Sequence, residues 1–270
     1  MNVVLGIDAA WTETEPSGVA VVVRNGFGWR CVAVAPSYDS FLERARGIPV
    51  DWNTPRFGGS LPCAKELLDA AECLANAPVD IVTIDMPIST KGICGRREAD
   101  NQISKKFGSR GCSAHSPGLS RPGRIGERVS DEFAAEGYPV ATTLEHSGVR
   151  RRLVEVYPHP ALLTLLGSRY RIQYKVSKSR RYWPDYEIRE RSDALLCTFD
   201  AIRMALADKL GLEDLPLPKT GSVKTLAAIK RYEDTLDALI CAWVGTLYTD
   251  GKAFPYGDTT AAIWCPREGD

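Results

Sequence analysis

Val3-Val4-Leu5-Gly6-Ile7-Asp8 is an apolar run that ends on a carboxylate. Its length and β-branched content predict a buried strand, and such a strand normally carries Val or Ile where Asp8 stands. Residues 17–24 and 29–35 predict two more strands, separated by the hairpin turn Asn25-Gly26-Phe27-Gly28. Three sequential strands with short connections make an antiparallel meander. Residues 38–46 predict a short helix and 48–60 an irregular stretch. Residues 61–75 carry Leu67, Leu68, Ala71 and Leu74 at helical spacing. Residues 80–85 form a fourth apolar strand, entered from a helix and so expected parallel to the first.

Beyond it, residues 86–123 are rich in Gly, Ser, Pro and basic side chains with little periodicity, which predicts a long functional loop or lid. Residues 124–136 read as helix, and 152–157 as a fifth strand stopped by Pro158 and Pro160. A short helix over 161–166 and a long one over 185–210 follow, ended by Leu215-Pro216-Leu217-Pro218. The last helical region spans 222–248, with an interruption expected near Glu233, and 261–264 predicts a terminal edge strand. These elements predict one domain over 1–270, with an insertion at about 86–147 and a helical elaboration at about 168–220.

A chain of 270 residues can bury a sizeable core without staples. No apolar stretch approaches the ~20 residues of a membrane span, and Met1-Asn2-Val3-Val4-Leu5 carries no basic leader, so no signal peptide is expected. The eight cysteines form no CxxC pair and read as small hydrophobes of a reducing cytoplasm. Cys112 and His115 have Cys-x-x-His spacing with Cys94 upstream, but the half-site lacks an evident fourth ligand, so a structural zinc is not the expected reading. Net charge is zero, which argues against indiscriminate nucleic-acid binding, yet the charges are unevenly placed. Residues 91–128 hold nine Lys and Arg against three Asp and Glu, and 150–191 hold eleven against four. A basic middle beside a carboxylate cluster suits a polyanionic substrate.

The acids recur in four signatures: Asp8, Asp85 in Ile84-Asp85-Met86-Pro87, Glu155 in Val154-Glu155-Val156-Tyr157-Pro158, and Asp234 with Asp237 three residues apart on one helical face. In the first three, the carboxylate lies in or just after a buried run, where an unpaired charge costs several kcal/mol. A divalent cation shared among them is the simplest partner. Oxygen ligands without Cys point to Mg2+ or Mn2+ rather than zinc.

The strand order, with Asp8 on the first strand and Asp85 closing the fourth, resembles the ribonuclease H-like fold. That resemblance implies a mixed five-stranded sheet flanked by helices, with strands one and four side by side at its centre. The Asp-x-x-Asp-Ala helix is similar to the closing helix of the Holliday-junction resolvase (RuvC-like) class. Gly6-Ile7-Asp8-Ala9-Ala10-Trp11, Ile84-Asp85-Met86-Pro87, Arg96-Arg97-Glu98-Ala99-Asp100, Glu155-Val156-Tyr157-Pro158-His159-Pro160 and the Asp234/Asp237 helix together look like domain of unknown function 429. That family is regarded as predicted ribonuclease H-like nucleases.

Phosphodiester hydrolysis needs charge neutralised on the attacking and leaving oxygens, and two cations about 4 Å apart serve both. Asp8 is then the expected bridging ligand, with Asp85 on one ion and Asp234 and Asp237 on the other. Glu155 is a further ligand or a base orienting water. Arg97, Arg110 and Arg121 are candidate phosphate contacts, and His159 a phosphate donor or proton shuttle. Each position also has a structural reading: Asp8 bonded to loop amides, Asp85 as a turn former, Asp234 as a helix cap, Glu155 paired with Arg151 or Arg152. The expected activity is cleavage of nucleic acid, DNA or RNA. A non-catalytic binding module of the same fold stays open. An ATP-dependent phosphotransferase is less well served, since Asp8 is followed by Ala9-Ala10-Trp11 rather than a glycine-rich phosphate loop.

Overall fold

Alternation along the first strand sets the architecture. β1 (Asn2–Asp8) sends Val3, Leu5 and Ile7 into one apolar cluster and Val4 into another, as the two-residue period of a strand requires. The computed structural model describes residues 1–26, 28–52, 57–211 and 225–267. In it β1 pairs antiparallel with β2 (Gly18–Arg24), and β2 with β3 (Trp29–Ala35), forming the expected meander. β4 (Ile81–Ile84) lies parallel to β1 on its other side, and β5 (Arg152–Val156) lies parallel to β4. β6 (Ala253–Gly257) and β7 (Ala262–Pro266) form a closing hairpin whose β7 pairs parallel with β5.

The sheet therefore has seven strands in the order β3-β2-β1-β4-β5-β7-β6, not the five expected. β6 escapes a sequence reading because Ala253-Phe254-Pro255-Tyr256-Gly257 carries a mid-strand Pro255, which belongs at an edge. The edge is β6 itself. The terminal strand β7, expected at the edge, lies between β5 and β6.

α1 (Tyr38–Ala45), α2 (Ala64–Ala75) and α4 (Ile125–Ala135) cover the face that receives Val3, Leu5 and Ile7. α3 (Glu98–Phe107) lies inside the stretch expected to be irregular; Ala99, Ile103 and Phe107, four apart, pack it against Ile263 and Cys265 of the hairpin. The opposite face carries α5 (Pro158–Leu165), α7 (Ile188–Leu210) and α8 (Leu226–Thr249), with the short α6 (Ser179–Tyr182) between α5 and α7 along the chain. α8 is continuous through Glu233, where a break was expected; the Thr225 side chain caps it by accepting from the Ala228 N–H. The Leu215–Pro218 breaker, the first residues of the 222–248 region and Phe27 of the hairpin turn lie outside the described residues. Among the described residues no helix is long and apolar enough to cross a membrane.

α8 is buried on nearly every side between the sheet and α7, and it approaches the sheet unusually closely. A Cβ on Gly6 would stand 2.5 Å from the Ala238 carbonyl oxygen, one on Gly18 2.2 Å from the Asp234 carbonyl oxygen, and one on Gly245 2.4 Å from Val4 Cγ1. Glycines on both surfaces thus let the helix backbone rest on the strands. That contact fixes where the α8 acids meet the strand ends.

Candidate functional site

β1 and β4 end side by side. Ile7 is the register partner of Ile84, and the Asp85 N–H donates to the Ile7 carbonyl at 2.9 Å, so Asp8 and Asp85 stand at adjacent strand ends. Alternation puts both on the α8 face, Asp8 after Val4 and Gly6, Asp85 after Ile81 and Thr83. Gly18, the register partner of Asp8, touches the Asp234 carbonyl, which sets the α8 acids above the Asp8 carboxylate. Asp8, Asp85 and Asp234 line one cavity of about 700 Å³, together with Trp11, Arg121, Lys175 and Lys178.

Neither Asp8 nor Asp85 has a hydrogen bond or ion pair to its carboxylate among the described residues. The loop-amide reading of Asp8 has no support here: the nearby Ala10 N–H donates instead to Ser17 Oγ at 3.0 Å. Burial pushes the Asp8 carboxyl well above the usual carboxylate range, with Asp237 adding to the rise. Burial likewise raises Asp85 to about 8, against the pull of Lys175. Two partnerless carboxyls this close to each other call for a cation or a shared proton.

The helical acids are differently served. Asp234 sits more than two turns into α8, so it is no helix cap. Its carboxylate is paired with Lys230, and burial, partly offset by that lysine, brings it to about 6. Asp237, fully buried, accepts from the Tyr174 hydroxyl at 2.6 Å and from Lys175 Nζ. Glu233 joins them: the Val176 N–H donates to it at 2.6 Å, Lys230 Nζ at 2.9 Å, and Lys175 lies 3.3 Å away. Burial works against the Glu233 charge, but Lys175 and Lys230 outweigh it and hold the carboxyl below its ordinary value.

Glu155 and Arg97 do not face the cavity. They hold each other through two bonds of 2.6 Å, Glu155 also accepts from the Ile88 N–H at 3.1 Å, and the remaining Arg97 donors go to Asp100 and the Ile88 carbonyl. Strand parity is the reason. Glu155 is level with Ile84 and so points to the face of Leu5 and Ile7, away from α8. The separate ligand and phosphate-contact roles expected for these two residues are replaced by one buried ion pair; neither Arg151 nor Arg152 is its partner. Arg110 also lies outside the cavity lining, donating to the Ser168 carbonyl at 2.9 Å. Arg121 remains at the rim, its guanidinium 5.9 Å from the Trp11 ring centre.

His159 is in the cavity wall but buried. Its Nε2 accepts from the Arg171 guanidinium at 2.5 Å, which leaves Nδ1 carrying the hydrogen. Burial, reinforced by Lys175 and Arg171, pushes its pKa well down, so the ring is neutral at pH 7. That bond holds Arg171 in the cavity wall. Arg171, Lys175, Lys178 and Lys230 are cavity residues that the sequence reading passed over. Only Lys230, four residues before Asp234 on one helix face, left a readable spacing.

The donor set at Asp8 and Asp85 fits a hard divalent cation: two unpartnered carboxylates open to water. Asp234 and Asp237 are engaged by lysines, and among the described residues no group of three or more His, Cys, Asp or Glu stands as a metal ion would hold it. That statement covers Cys94, Cys112 and His115 as well.

The fold and site define an α/β protein whose mixed seven-stranded sheet carries a carboxylate-floored, lysine- and arginine-walled cavity at the ends of its central parallel strands. The chain belongs to the family described as Protein of unknown function (DUF429), which it matches over residues 6–261. The resemblance read from the five motifs is thereby borne out. No curated protein and no solved structure matches the chain.

Proposed function

We propose that this chain is a divalent-cation-dependent phosphodiesterase acting on nucleic acid. The observation that carries the reading is the pair Asp8 and Asp85, unpartnered on neighbouring strand ends, facing a cavity walled by Arg121, Arg171 and Lys178. β1 beside β4 at the sheet centre, each ending on a cavity acid, supports the ribonuclease H-like assignment. Asp8 and Asp85 would hold Mg2+ or Mn2+, which supplies charge neutralisation at the phosphate and a more acidic water. Arg171, positioned by His159, and Lys178 bind the flanking phosphates as fixed donors. Hydrolysis joins the water oxygen to phosphorus, breaks the bond to one sugar oxygen, and leaves the proton on that oxygen.

A non-catalytic binding module has one observation in its favour, the lysines already seated on the α8 acids. One experiment separates the two: labelled DNA and RNA incubated with the chain and Mg2+ or Mn2+, then with Asp8→Asn. Cation-dependent cleavage lost in the variant supports the phosphodiesterase; cleavage retained in the variant, or absent from the wild type on every substrate, removes it.

A further inference from the structure

We propose that Lys175 supplies the second positive charge of this site in place of a second divalent ion, so that the chain takes one such ion, between Asp8 and Asp85. The inference rests on the phosphodiesterase reading and replaces the two-ion arrangement expected from the sequence. A second ion would need Asp237 or Asp234 as ligands. Both Asp237 oxygens are in use, one accepting from Tyr174 and the other from Lys175. To take that carboxylate an ion must displace the Lys175 ammonium from Asp237, leaving it only Glu233 in a largely buried position, which is costly.

Lys175 is also not free to swing away. Tyr174, immediately before it, is fully buried and packs edge-on against His159, 5.3 Å between ring centres. Val176, immediately after it, is tied through its N–H to Glu233 at 2.6 Å. The backbone is thus pinned on both sides, and the ammonium is directed at Asp237 and Glu233 while still lining the cavity with Asp8 and Asp85. Lys230 completes the substitution on the cavity side, paired with Asp234 and Glu233. A positive charge of fixed position therefore lines the cavity that holds the Asp8 and Asp85 carboxylates, where it can offset charge on a phosphate oxygen.

The test counts Mn2+ per full-length chain by electron paramagnetic resonance of the unbound ion. Wild type should bind one ion, Asp8→Asn none, Lys175→Arg one, and Lys175→Gln two, because the Asp237 oxygen that Lys175 occupies is then released as a ligand. Two ions in wild type, or a folded Lys175→Gln that still binds one, overturns the proposal. Should Lys175→Gln fail to fold, the wild-type count decides alone. Two ions together with cation-dependent cleavage would remove this inference and leave the phosphodiesterase standing; no ion bound would remove both.

Discussion

Asp85→Asn should stabilise the cation-free chain at alkaline pH and abolish its response to Mn2+. Burial raises the Asp85 carboxyl from 3.8 to about 8, with Lys175 opposing the rise and Asp237 and Glu155 adding to it. Between those values the folded chain holds a proton that the unfolded chain has released, so stability falls as pH rises. The penalty is absent below the unfolded value and complete above about 8. The full displacement corresponds to about 6 kcal/mol. The side chain opens on a watered cavity that screens its charge, which leaves ~2 kcal/mol as the expected effect. For a chain of this size that is roughly 5 °C in Tm. No hydrogen bond is lost with the carboxylate, so asparagine should inherit no unpaired partner. The assay is thermal unfolding across neutral and mildly alkaline pH, with and without Mn2+. Wild type should lose stability with rising pH and regain it on adding Mn2+; Asp85→Asn should show a flatter profile, lie above wild type at the alkaline end, and ignore the ion. Parallel profiles, or a variant less stable than wild type above pH 8, would refute the reasoning.

Gly18→Ala places a methyl 2.2 Å from the Asp234 carbonyl oxygen, so calorimetry should show a loss of about 1–3 kcal/mol and titration a weaker Mn2+ site as α8 is lifted from Asp8. Arg97→Met strands Glu155 and Asp100, both buried, and should cost ~3–5 kcal/mol in chemical denaturation. Glu155→Gln should leave the Mn2+ count unchanged, and a lowered count would return Glu155 to the ion site. Arg171→Ala should weaken nucleic-acid binding on all sequences and reduce the salt slope of the binding constant by about 1, read by fluorescence anisotropy across a salt series.

Much of the fold was legible because its central elements obey simple periods. The apolar runs of β1 and β4 and the 3.6-residue spacing of α2 and α7 are signals that burial writes directly into sequence. β6 was not legible, since a proline-bearing edge strand has neither a full apolar run nor clean alternation. α3 was hidden by its surroundings: three buried apolar residues at a spacing of four, flanked by glycine-rich and basic segments that read as loop. The expected break in α8 at Glu233 has a related cause. Charged residues interrupt an apolar pattern, yet here Lys175 and Lys230 neutralise them and the helix continues.

The candidate site shows where one-dimensional reading stops. Asp8, Asp85 and Glu155 share the same signature, a carboxylate at or near the end of a buried strand, and the sequence gives no ground for separating them. Register does. Ile7, Ile84 and Glu155 are neighbours across three parallel strands, and all three point to the same face; Asp8 and Asp85 lie one residue further and point to the other. A one-residue offset reverses every side chain of a strand, so Glu155 was committed to Arg97 by pairing geometry that no local pattern encodes. The same reasoning explains why Lys175 was invisible. It comes from an irregular segment far from β1 and β4, and its meaning arises only because Tyr174 and Val176 anchor it to α8. An acid cluster read from sequence thus identifies the carboxylates that can converge, while the number of cations they hold is decided by which basic side chains the tertiary fold sends to them first.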